Sequence, residues 1–141
     1  MGKENLSGLK KRIIEEMTVD YASALEKNFD LAKQLVRITK DGKIDVQFKE
    51  KLTGEMRLLL YLIGKLYAKE AGLAATDDAG NKELMDELGI PEGSLLPWLK
   101  NLREKKKIKQ VKRGRYTHHS ISLRVVEKTL GIIEKKLKKN I

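Results

Sequence analysis

The chain has 141 residues, enough for one domain or two small ones. It is 40% hydrophobic, which can fill a core, and 35% charged. There is no cysteine, so disulfides, thiolate zinc sites and cysteine nucleophiles are excluded. The net charge of +10 is uneven: residues 99–141 hold 15 Lys/Arg against 3 Asp/Glu, and the rest of the chain is close to balance. A basic end of this kind points to a polyanionic partner, nucleic acid first, against the plainer reading of a solvated lysine surface.

The opening MGKENLSGLKKR has no apolar signal core, and the longest apolar run, Leu58 to Ile63, is too short for a bilayer. A cytoplasmic location without membrane association is expected. Residues 6–35 then read as helix, with Leu9, Ile13, Met17, Tyr21, Leu25 and Phe29 at a spacing of four. A strict four-residue step drifts around a helix of 3.6 residues per turn. Either the stripe wraps a partner, or the helix breaks near Thr18-Val19-Asp20, where two β-branched residues precede a potential N-cap.

The period changes at LVRITKDGKIDVQF. Val36, Ile38, Ile44, Val46 and Phe48 alternate with polar residues around Asp41-Gly42, which predicts a β-hairpin with a tight primed turn. A helix over 53–71 follows, with Thr53 as cap, Glu55 in its first turn and Gly72 as its stop. It is apolar nearly all round, as the hub of a core would be. Residues 73–80 read as loop, with Asp77-Asp78 as acidic residues ahead of a helix N-terminus and not a calcium site.

Residues 81–88 form a short amphipathic helix with Leu84, Met85 and Leu88 inside, closed by Gly89 in a left-handed turn with Ile90 tucked behind it. The next helix, 94–106, is capped by Ser94 and turns Leu95, Leu99 and Leu102 inward, with Trp98 at the core rim. Gly93, Pro97, Lys100, Asn101 and Glu104 face the other way, flanked by Leu96 and Arg103. Two strands, KIKQVK and RYTHHSIS, are joined across Lys112-Arg113-Gly114-Arg115. His118 and His119 are successive strand residues on opposite faces and share no metal.

With ELMDELGIPEGS, the Leu95-Leu99-Leu102 row and the basic hairpin around Arg113 and Arg115, residues 52–122 resemble a winged helix-turn-helix domain of archaeal and bacterial transcription regulators. The expected fold class is mainly α with small β-hairpins (α+β). An N-terminal helix-hairpin extension covers residues 1–50, the winged domain 51–122, and a C-terminal amphipathic helix 123–141.

The resemblance implies double-stranded DNA as partner and a role in transcription regulation, with helix 94–106 in the major groove and the wing, 109–122, on phosphates. The implied DNA-binding residues are Lys82, Ser94, Pro97, Lys100, Asn101, Arg103, Lys112, Arg113 and Arg115. Lys100 would donate to guanine and Asn101 would pair with an adenine edge. The pattern departs from the family at Leu96 and Pro97, where polar or basic residues are usual. The alternative is therefore a protein-interaction module docking through Leu96, Pro97 and Trp98. RNA binding is a weaker third, since aromatics are 5%. No phosphate loop, metal-ligand cluster or nucleophile-base signature is present, so neither enzymatic activity nor a cofactor is expected.

In the last helix Leu123, Val126, Leu130, Ile133 and Leu137 step 3, 4, 3, 4, an a/d seam of about two heptads. The seam either packs on the same chain or pairs with its twin. Because winged regulators often pair through terminal helices, a homodimer is the favoured expectation.

Overall fold

Helix α4 (Gly54–Glu70) is the element on which the rest of the chain packs. Its residues from Leu58 to Gly64, with Leu66 and Ala68, are all buried, and it touches the N-terminal hairpin, both helices of the central turn, strand β5 and the C-terminal helix. A helix apolar nearly all round is buried on most of its faces, as its sequence predicts. The computed structural model describes residues 8–17 and 21–139. It is an α+β fold with two small antiparallel sheets.

Among the described residues the N-terminal helical region is divided at Asn28. Helix α1 covers residues 8–17, with an α-helical start and a π turn at Ile13–Met17. Helices α2 (Tyr21–Lys27) and α3 (Phe29–Leu35) are separated at Asn28, whose Nδ2 donates to the Ala24 carbonyl at 2.9 Å. An amide that competes for a helical carbonyl weakens the helix at that point. The break expected near Thr18-Val19-Asp20 lies outside the described residues.

Strands β1 (Val36–Ile38) and β2 (Ile44–Val46) form the expected antiparallel hairpin, pairing Val36 with Val46 and Ile38 with Ile44, a register one residue off the one a two-residue turn at Asp41-Gly42 would give. Their turn is a three-residue loop, not the expected two-residue primed turn. The Thr39 N–H donates to the Lys43 carbonyl at 2.9 Å and the Gly42 N–H to the Thr39 carbonyl at 3.0 Å. Gly42 takes the positive φ that closes such loops. Helix α4 is capped as predicted: the Thr53 hydroxyl accepts from the Met56 N–H at 3.2 Å.

Part of the expected loop at 73–80 is a strand. Ala79–Gly80 (β3) pairs with His119 and His118 of β5. Two residues carry no periodicity to read, and their partner lies about 40 residues downstream. Helix α5 (Asn81–Leu88) closes on Gly89 at φ 65°, with the Ile90 N–H donating to Met85 and Ile90 buried. Helix α6 (Glu92–Glu104) starts two residues earlier than predicted. Ser94 therefore lies inside its first turn, where it does not cap through its side chain. Strands β4 (Ile108–Arg113) and β5 (Tyr116–Ile121) form the hairpin, and the sheet order is β3-β5-β4.

Helix α7 (Val126–Lys139) follows a 3-10 turn at Leu123–Val125. Its seam residues Val126, Leu130 and Ile133 are buried against α4 of the same chain. The seam is thus spent in cis and is not the contact that would make a dimer. Among the described residues no helix is long and apolar enough to cross a membrane, and no group of acidic or histidine side chains could hold a metal ion.

Candidate nucleic-acid interface

Helix α6 is held in one orientation by its contacts with the first turn of α4. Leu95, Leu99 and Leu102 enter the core, and Trp98 lies against Gly54. A Cβ at Gly54 would collide with the Trp98 ring, so the two helices meet at a distance only glycine permits. One turn on, Asn101 Nδ2 donates to both carboxylate oxygens of Glu55, at 2.8 and 2.7 Å.

These contacts leave Gly93, Leu96, Pro97, Lys100 and Glu104 exposed on the far side of α6. Asn101 does not belong to that face. Its amide is committed to Glu55, which corrects its expected role on adenine: on the helical wheel it borders the outer face, but a carboxylate on α4 draws it inward. Trp98 is half-buried against Gly54, at the core rim as expected. Leu96, at 45% exposed, is the apolar group that remains outward. Ser94 and Arg103 are half-buried, and Lys82 on α5 is exposed.

The hairpin carries the second part of the surface. Gly114 turns at φ 63°, and Arg115 is exposed with its guanidinium 5.6 Å from the Tyr116 ring centre. Lys112 donates to Thr117 across the pair at 3.1 Å and remains exposed. Between helix and hairpin, Lys105 and Lys106 are exposed, with Lys106 in the left-handed region at φ 60°. Its neighbour Lys107 donates its backbone N–H to Leu102 at 2.9 Å, closing the helix in the way glycine usually does.

Arg113 has a different role from the one expected. Its Nε donates to Asp78 at 3.0 Å, and its Nη2 reaches the same oxygen. His118 Nδ1 approaches the other oxygen at 2.7 Å. Asp78 is only 3% exposed. Burial alone would raise its pKa, but the hydrogen bonds from Arg113 and His118 outweigh that and hold the carboxyl below its ordinary range. The same bond raises the Arg113 pKa further. Arg113 is therefore a clamp fastening the hairpin to the segment before β3, with its charge already paired while its side chain stays 46% exposed. Asp78, expected as an acidic flank of the α5 N-terminus, is the centre of that clamp.

His119, on the opposite face of β5 as expected, is 2% exposed. Its Nε2 lies 2.7 Å from Asn81 Oδ1, so Nε2 carries the proton and donates, while Nδ1 is buried without a partner. Burial, then the charges of Arg103 and His118, lower its pKa to about 4. It is a neutral strut between β5 and the start of α5.

The surface that remains after these commitments is Pro97 and Lys100 on α6, Lys105 and Lys106 at its end, and Lys112 and Arg115 on the hairpin, with Lys82 nearby in sequence on α5. Comparison with protein-family models, curated proteins and solved structures finds no match.

Proposed function

We propose that this chain is a double-stranded DNA-binding protein of winged helix-turn-helix type, acting in transcription regulation or DNA organisation. The observation that carries the reading is the succession of α4, β3, α5, a glycine turn, α6 and a β4-β5 hairpin, with α6 exposing Pro97 and Lys100 and the hairpin exposing Lys112 and Arg115. In such an arrangement the second helix of the turn enters the major groove and the hairpin meets the flanking backbone. The readout face is poor in hydrogen-bonding groups: Leu96 and Pro97 suit thymine methyls, and Lys100 is the one base-directed donor proposed. Phosphate contacts from Lys105, Lys106, Lys112 and Arg115 supply most of the affinity, so binding depends strongly on salt and weakly on sequence.

The test is a titration of the full chain into random-sequence duplex DNA by fluorescence anisotropy at several salt concentrations. The reading expects log affinity to fall linearly with log salt, with a slope set by the phosphates neutralised. Absence of binding at low salt rejects it. Selection from a random duplex pool then separates a site-specific regulator, which enriches a motif, from an architectural protein, which does not. Capture of a protein partner that survives nuclease and high salt would favour docking through Leu96 and Pro97 instead.

A further inference from the structure

The first described helix carries an apolar face that the other described residues leave exposed. Leu9, Ile13 and Met17 are 53%, 40% and 77% exposed. Single exposed leucines are ordinary, but three large apolar side chains aligned on one helix of a soluble chain mark a contact surface.

The alignment depends on the π turn. A step of four residues overshoots the 3.6-residue turn of an α-helix, so Leu9 to Ile13 drifts one way. The same step falls short of the wider π turn, so Ile13 to Met17 drifts back. The two drifts oppose each other, and the three side chains lie along a nearly straight line. The four-residue spacing that fits no regular α-helix thus produces a flat stripe here.

Charge beside the stripe indicates what covers it. Arg12 and Glu16 lie on the same flank, joined at 3.4 Å across one turn. Two copies of a helix packed antiparallel bring identical flanks together in opposite directions. Arg12 of each copy then stands near Glu16 of the other, Ile13 meets Ile13 at the axis, and Leu9 lies level with Met17. An isologous two-fold contact requires this kind of self-complementarity. A parallel pairing would lack it.

We infer that residues 8–17 form an antiparallel two-fold contact with the same segment of a second copy of this chain. This inference stands apart from the DNA-binding reading. It supplies the pairing that the α7 seam does not.

The test uses the absence of native cysteine. Full-length Ile13→Cys is oxidised mildly and analysed without reductant, beside Leu9→Cys. The antiparallel contact expects Ile13→Cys to cross-link into a dimer. Leu9→Cys should not cross-link, because the two Leu9 positions are offset by about 12 Å along the axis. Sedimentation equilibrium of the unmodified chain at about 100 μM should show dimer. Arg12→Glu and Glu16→Arg should each weaken dimerisation about tenfold, and the double exchange should restore it. These sites are exposed, so an unchanged thermal midpoint establishes that each variant is folded. A chain that stays monomeric, a Leu9→Cys dimer as strong as that of Ile13→Cys, or a double exchange that fails to restore pairing would overturn the inference. So would a monomer that binds anionic vesicles through this stripe.

Discussion

The side-chain amide nitrogen of Asn101 on helix α6 donates to both carboxylate oxygens of Glu55, the acidic residue in the first turn of α4. The bond fixes the rotation of α6 and withdraws from the outer face a residue that its position along the helix would place there. Replacing Asn101 with Ala leaves the carboxylate without these donors. The expected cost is about 1–2 kcal/mol in urea unfolding. DNA affinity of the folded variant should stay within about twofold of the parent, less than the loss expected for a base-reading contact.

Two arginines one residue apart should behave differently. Arg115→Ala is expected to weaken DNA binding for all sequences alike and to reduce the salt slope by about one. Arg113→Ala should instead lower the thermal midpoint, because it strips the main partner from a carboxylate that is 3% exposed. If Arg113→Ala leaves stability unchanged while abolishing DNA binding, the clamp assignment is wrong.

The His119 site predicts a pH dependence. Its folded pKa of about 4 lies below the ordinary value of 6.5, so below pH 6.5 the unfolded chain binds more protons than the folded one. Stability is therefore fully present above pH 6.5 and declines as pH falls toward 4, by up to about 3 kcal/mol from this group. Comparing denaturation at pH 7 and pH 5 for the parent and for His119→Gln checks this. The variant should lose most of the difference. Asp78 acts in the same direction at lower pH, since a depressed carboxyl stabilises above its unfolded pKa and fails as it is protonated.

Lys106 holds a left-handed backbone that a glycine would adopt without strain. Lys106→Gly should stabilise the protein by up to about 1 kcal/mol in chemical denaturation. In the DNA-binding reading it should also lower affinity, because it removes a charge between helix and hairpin. A gain in stability coupled to a loss in affinity would indicate a position held for charge rather than for fold.

Gly54→Ala forces a methyl group into the Trp98 ring. The expected destabilisation is about 1–3 kcal/mol, the usual range for overpacking. Trp98 is the chain's one tryptophan, so its emission should report the displacement directly.

The elements whose evidence lies within a few residues were legible in advance. The Thr53 cap, the Gly89 turn with Ile90 behind it, the β1-β2 hairpin and the burial of α4 on most of its faces follow from capping chemistry, glycine geometry and periodicity, whereas the hairpin register follows from a loop one residue longer than expected. The elements that were missed depend on distant partners. β3 exists because β5 offers it an edge. The division of the expected helix at Asn28 is the local exception: its amide competes for the Ala24 carbonyl, which hydrophobic periodicity does not report. The C-terminal seam is apolar as its spacing predicts, but a repeat of 3 and 4 is equally served by a neighbouring helix in the same chain.

For the candidate interface the sequence determined which cations exist and that they gather after Leu99. It also determined that a glycine-turned helix pair carries them, because charge and turn geometry are local properties. Tertiary structure decided which of the polar side chains are already partnered. Asp78, distant in sequence and buried ahead of β3, takes Arg113, and Glu55 on another helix takes the amide of Asn101. A buried or partly buried carboxylate must find donors, and the nearest are side chains that one-dimensional spacing would assign to the surface.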